Sequence, residues 1–166
     1  MGPFHIEITS HSPEETREIG ACLGELAQAG DVFLLIGDLG TGKTCLTQGI
    51  ARGLGVPGLP MSPSFVLVRE HKGRLPLYHM DLYRIGRVEE VSELGLEDYL
   101  MGQGLVVVEW ADRAREAFPP DHLLITLTHR SEEERQLHLE ARGERYQELI
   151  MKLQERFPEV RHGTGH

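Results

Sequence analysis

Eight consecutive residues, Gly37-Asp38-Leu39-Gly40-Thr41-Gly42-Lys43-Thr44, carry the most specific chemistry in this chain. They read G-x-x-x-x-G-K-T, a phosphate-binding pattern. Glycines let the backbone curl so that successive N–H groups converge on anionic oxygens. A helix that starts where the run ends adds unpaired donors and the positive end of its dipole. The Lys43 ammonium can then reach the β- and γ-phosphates, and the Thr44 hydroxyl can ligate Mg²⁺. Cys45 follows directly and is counted with the cradle.

Such a loop binds phosphate, but hydrolysis also needs an acid for the metal and a group that orients water. Two carboxylates end apolar runs and qualify: Glu109 after residues 105–108, and Asp81 after residues 77–80. Ligands of open α/β sheets gather at the carboxyl ends of strands, where both acids would lie. Glu109 is expected to hold Mg²⁺, directly or through water. Asp81 is expected to position or deprotonate the attacking water. Ser62 and Ser64, in the run Ser62-Pro63-Ser64-Phe65, lie where switch loops occur, although that composition also makes plain turns. Trp110, the single tryptophan, reads as packing at a strand end. Arg84 and Arg113 are near the two acids in sequence, and no region clusters arginines as a lid would. His79 reads as a strand residue making a hydrogen bond. The nine histidines have no ligand spacing, so no zinc is expected.

The elements that must position these groups follow from periodicity. Residues 32–36 are an apolar, partly β-branched run that suits a buried strand before the glycine-rich loop, and residues 45–51 continue as a helix ending near Gly53–Gly55. Upstream, residues 4–8 alternate as an edge strand. Ser12 with Pro13 and Glu15 predicts a capping box, and the helix it opens should end at Gly30. Residues 65–68 and 75–80 predict a hairpin around residues 71–74, with Pro76 at a strand start or edge. Residues 88–99 predict short helix broken at Gly95, and residues 104–109 a buried strand that needs cover on both faces. Residues 123–128 and 136–140 read as late strands, and Tyr146, Leu149, Ile150, Leu153 and Phe157 mark a C-terminal amphipathic helix. The expected organisation is one domain over residues 1–158, with residues 159–166 as a flexible tail.

Bulk composition narrows the function. The chain has 166 residues, enough for one domain with a real core. Its 17 basic and 26 acidic residues give a net charge of −9, which argues against direct, phosphate-driven nucleic-acid binding. Two cysteines without a C-x-x-C pair fit a reducing cytoplasm. No apolar run approaches membrane-spanning length, and the first residues lack a signal-peptide pattern, so a cytoplasmic protein without membrane contact is expected. The absence of asparagine removes the Asn-Lys-x-Asp guanine reader, which favours ATP over GTP.

These pieces together resemble one family: TsaE, the small ATPase of bacterial tRNA threonylcarbamoyladenosine synthesis. The segments that carry the resemblance are residues 37–44, Ser62-Pro63-Ser64-Phe65, His79-Met80-Asp81-Leu82-Tyr83-Arg84, Leu94-Gly95-Leu96-Glu97-Asp98-Tyr99 and Val108-Glu109-Trp110, in that order. It extends over residues 12–135, with Ser64 where the family usually has Thr. The resemblance implies a three-layer α/β fold of P-loop NTPase type, a central mixed sheet flanked by helices, with the hairpin after the P-loop helix. It implies that Thr44 and Glu109 hold Mg²⁺, that Lys43 contacts phosphate and that Asp81 is catalytic. Ser62 and Ser64 would belong to a switch loop, and Trp110 would matter for activity or partner contact. The helix start at residues 12–16, with Thr16, and the turn near Arg135 would approach the nucleotide base. The resemblance further implies two partner proteins, TsaB and TsaD, through which alone tRNA is reached: the chemistry on adenosine 37 would belong to TsaD, and ATP hydrolysis would reset or activate the complex between turnovers. A small-molecule kinase and a nucleotide-gated binding module remain as alternatives.

Overall fold

The computed structural model describes residues 4–38, 41–57, 68–93, 95–157 and 161–162. Among these residues eight strands form one mixed sheet: β1 (Phe4–Ser10), β2 (Val32–Ile36), β3 (Val68–Lys72), β4 (Pro76–Asp81), β5 (Leu105–Glu109), β6 (His122–His129), β7 (Arg135–Arg142) and β8 (Arg161–His162). Among the described residues five α-helices accompany them: α1 (Pro13–Leu26), α2 (Lys43–Gly53), α3 (Glu89–Ser92), α4 (Leu96–Leu100) and α5 (Glu144–Arg156). The spatial order is β3-β4-β5-β2-β6-β7-β1-β8. β4, β5, β2 and β6 run parallel at the centre, and the outer pairings are antiparallel.

The central strands lack polar alternation because helices cover both of their faces. Phe33, Leu35, Leu105, Val107, Leu123 and Ile125 pack beneath α1, α2 and α5 through Ile19, Leu23, Leu46, Ile50, Leu149 and Leu153. On the other face Val32, Leu34, Val106, Val108 and Leu124 meet Val91, Leu96, Ala111, Ala114 and Phe118. The result is helix, sheet and helix in three layers.

α2 is pressed onto α1 by glycine rather than by large side chains. A Cβ built on Gly49 would lie 2.1 Å from the Arg17 carbonyl oxygen, and one on Gly53 2.1 Å from that of Ala21. From the other side, Cβ atoms on Gly20 and Gly24 would meet the carbonyl oxygens of Leu46 and Ile50 at 2.4 and 2.2 Å. Only bare backbone fits at this crossing, so the pair of helices sets where α2 begins. At the base of the sheet, α5 holds the start of β2. The Val32 N–H donates to the Tyr146 hydroxyl at 2.9 Å, and Arg145 grips both carboxylate oxygens of Asp31 at 3.0 and 2.7 Å.

Several sequence expectations need correction. α1 ends at Leu26 with Ala27 extended, and Gly30 (φ +91°) instead turns the chain into β2. Ser12 caps α1 by accepting from the Glu15 N–H at 3.1 Å, but the Glu15 carboxylate pairs with His11 rather than completing the box. The hairpin turns at residues 73–75, so His71 and Lys72 belong to β3, and Pro76 opens β4. Arg74 in that turn reaches the carbonyls of Gly24 and Ala27 at 2.8 and 3.0 Å, which outweighs the expected register. β1 is not the edge, because Arg161–His162 of the expected tail pair with it as β8. The expected strand start at residues 65–67 lies outside the described residues, as do Leu39, Gly40, Ser62, Ser64 and Leu94.

Candidate phosphate and metal site

β2, the glycine-rich loop and α2 follow one another as the sequence requires. Gly42 is the N-cap of α2 at φ +100°, a left-handed conformation that glycine adopts without a Cβ penalty. A Cβ on Gly37 would collide with the Leu127 carbonyl at 2.7 Å, so the loop runs tight against β6. Thr41 is buried and holds the turn, its hydroxyl donating to the Asp38 carbonyl at 2.7 Å. Thr44, exposed, and Cys45, half-buried, lie on the first turn of α2.

Lys43 points inward and is 5% exposed. Its ammonium donates to the carbonyls of Gly37 and Asp38, the latter at 2.8 Å. It also sits 4.1 Å from the centroid of the Trp110 ring, a cation–π contact. Burial pushes the Lys43 pKa down, while the carboxylates of Glu109, Asp112, Asp38 and Asp81 push it back up.

Parallel pairing of β4 and β5 brings the two acids together. Asp81 and Glu109 are register partners at the carboxyl ends of these strands. His79 lies two residues before Asp81, hence on the same face, and its Nε2 is 2.5 Å from Glu109 Oε2. Both side chains are buried. Asp81 Oδ1 accepts the Tyr83 N–H at 2.9 Å. Burial and the neighbouring Glu109 charge raise the Asp81 pKa, opposed by that hydrogen bond and by His79 and Lys43. The site therefore joins one ammonium, two carboxylates and an imidazole at the carboxyl end of the parallel strands.

Trp110 leaves β5 at φ +59°, strained for a residue with a Cβ. That bend turns its ring beneath Lys43. Tyr83 packs on it with ring centroids 4.9 Å apart, and the Arg113 guanidinium stands 5.5 and 5.7 Å from the two rings. Arg84 is exposed. Around Gly42, the Thr16 methyl, the Arg135 stem and Leu127 all come within 3.9 Å of where a Cβ would stand. The Thr16 hydroxyl is turned away to Ser10 at 2.7 Å, and one terminal nitrogen of the Arg135 guanidinium holds three carbonyls of its own turn, at 2.9–3.1 Å.

Sequence reasoning found the loop and both acids but not the His79–Glu109 pair or the Lys43–Trp110 contact. The two-residue spacing of His79 and Asp81 was the available signal for the first. The second had none, because it depends on a backbone bend.

A mixed sheet whose parallel centre feeds a glycine-rich loop into a helix N-terminus defines an α/β protein of P-loop NTPase type, a fold that implies nucleotide binding. Residues 10–137 match the family model described as threonylcarbamoyl adenosine biosynthesis protein TsaE. The chain belongs to the TsaE family. It is 43% identical over 143 residues to the tRNA threonylcarbamoyladenosine biosynthesis protein TsaE of Bacillus subtilis, covering 86% of this chain and 89% of the relative. The Treponema pallidum protein of the same name is 37% identical over 122 residues, 74% of this chain and 90% of the relative. The crystal structure of Bacillus subtilis YdiB superposes with a TM-score of 0.81 at 37% identity, covering 95% of this chain and 99% of that one. Among the described residues no helix is long and apolar enough to cross a membrane.

Proposed function

We propose that this chain binds ATP and hydrolyses it with Mg²⁺, as the ATPase of the machinery that makes threonylcarbamoyladenosine at position 37 of tRNA. The observation that carries this reading is the convergence of Lys43, Asp81 and Glu109, on α2, β4 and β5, beside one glycine-rich loop. Lys43 would exchange its two loop carbonyls for phosphate oxygens. Thr44 and Glu109 would hold the metal. Among the described residues no three His, Cys, Asp or Glu side chains form a metal cage. Mg²⁺ does not need one, since it takes one or two protein oxygens and completes its shell with phosphate and water. Bound there, it would neutralise charge on the β- and γ-phosphates.

Asp81 would orient the attacking water or take its proton. Burial makes its carboxylate a better proton acceptor than an exposed aspartate. Ser62 and Ser64 would form the switch loop, Trp110 would support Lys43, and Thr16 and Arg135 would flank the nucleotide beside Gly42. The remaining cradle groups are Gly37, Asp38, Leu39, Gly40, Thr41 and Cys45. The net charge of −9 fits a protein that reaches tRNA through TsaB and TsaD rather than by itself. Hydrolysis would reset or activate that complex in the cytoplasm.

The test is ATPase turnover of the purified chain with and without TsaB and TsaD. Slow turnover alone and faster turnover with both partners is expected. Asp81→Asn should keep ATP binding and lose at least about a hundredfold in turnover, the lower end of what a positioned acid–base group contributes, about 10²–10⁴-fold. Equal rates with and without partners would count against the reset role, and full turnover by Asp81→Asn would remove that residue from the chemistry.

A further inference from the structure

Glu109 has to present a carboxylate oxygen to a cation from the end of a buried strand, and a glutamate has three rotatable bonds with which to miss. The structure assigns a partner that removes this freedom. His79 stands on the neighbouring strand, paired with Val107, one inward-facing position before Glu109. Its imidazole reaches along the strand to Glu109 Oε2 at 2.5 Å, with both side chains at most 3% exposed. A carboxylate oxygen only accepts, so Nε2 is the ring nitrogen that carries the hydrogen and donates to Oε2. His79 Nδ1 has no hydrogen-bond partner among the described residues, so the ring has no other polar tether there.

Resting on the reading of Glu109 as a metal ligand, we propose that His79 is a positioning residue. It occupies Oε2 and leaves Oε1 as the oxygen offered to the cation. Partners that orient a ligating carboxylate from behind change metal affinity by about 10–100-fold when removed.

The experiment measures Mn²⁺ binding to the full chain with saturating ADP, by electron paramagnetic resonance of the free ion, alongside ADP binding in EDTA. His79→Phe should keep the ring volume and lose the donor, weakening Mn²⁺ at least tenfold while metal-free ADP affinity stays unchanged. His79→Gln places an amide N–H near the Nε2 position and should restore most of the affinity. His79→Asn is too short to do so and should resemble the Phe variant, which keeps the comparison usable if His79→Phe does not fold. Added to Glu109→Gln, His79→Phe should cost nothing further, because its only route to the ion is gone. Normal Mn²⁺ affinity in both His79→Phe and His79→Asn overturns the proposal, as does a Gln variant no better than Asn. If Glu109→Gln alone leaves Mn²⁺ binding unchanged, the metal-ligand reading fails with it. If Glu109→Gln weakens binding and both donor-lacking His79 variants do not, only the positioning role fails.

Discussion

Replacing Gly49 by alanine tests whether the close crossing of α1 and α2 sets the site. The new methyl carbon would start 2.1 Å from the Arg17 carbonyl oxygen and 2.8 Å from the Arg17 carbonyl carbon and Cα, where ordinary contact begins at 3.4 Å. The helices would have to part by about 1 Å, because the opposing atoms are backbone and have no rotamer to escape into. Two terms oppose each other. Alanine is favoured over glycine inside a helix by about 1 kcal/mol. Overpacking a fitted interior costs about 1–3 kcal/mol, and a collision with main chain belongs at the upper end. The net expectation is a loss of about 2 kcal/mol. For a chain of this size that corresponds to a fall in Tm of roughly 4–8 °C. Urea unfolding followed by circular dichroism, with a thermal scan beside it, measures the change. Gly86→Ala is the control: its Cβ would meet only the Glu90 carboxylate at 3.4 Å, at the end of a side chain that can move. The control should stay within a few tenths of a kcal/mol, as surface substitutions do. Because α2 begins at Lys43, the Gly49 variant should also bind ATP more weakly at temperatures where it is still folded. A Gly49→Ala protein as stable as its parent would refute the close-packed crossing and the reasoning built on it.

Lys43→Ala should weaken ATP binding about 10–100-fold, the range for losing a hydrogen bond to a charged group, about 1.5–3 kcal/mol. Isothermal titration with a non-hydrolysable analogue reads this directly, and unchanged affinity would place the site elsewhere. Tyr146 gives an alkaline test. Burial raises its pKa from 10.0 to about 12, with the Val32 N–H bond opposing. The folded chain therefore keeps a proton that the unfolded chain releases. This contribution is fully present below pH 10 and is lost as pH rises towards about 12, amounting to at most about 3 kcal/mol. Tyr146→Phe should cost about 1–3 kcal/mol at neutral pH by stranding the Val32 N–H, and should lose stability less steeply at high pH. Parallel slopes for the two proteins in urea unfolding from pH 9 to 12 would contradict the assignment.

The core strands were legible because their signals are local. Residues 32–36 and 105–108 are apolar without alternation, which only a sheet covered on both faces explains, and β2 and β5 are such strands. The glycine-rich loop was legible for the same reason: a left-handed N-cap at Gly42 and an inward Lys43 follow from residue types within eight positions. The errors fell where distant groups decide. Gly30 reads in sequence as a helix stop, but α1 ends earlier and the glycine turns the following loop. The hairpin register moved because Arg74 has partners fifty and forty-seven residues away. The edge was misplaced because β8 arrives from the far end of the chain.

The sequence by itself determined which groups exist: a phosphate-cradling loop, an ammonium, two strand-ending acids and apolar runs to bury. Tertiary structure decided which of them meet. Asp81 and Glu109 are neighbours because β4 and β5 pair in parallel and in register. His79 touches Glu109 because residues two apart on a strand share a face, and Lys43 meets Trp110 because the chain bends to positive φ just after β5. Side-chain type is written locally and survives any fold. Contact between residues thirty to seventy positions apart depends on strand pairing and helix crossing, which are set by burial of the whole chain at once.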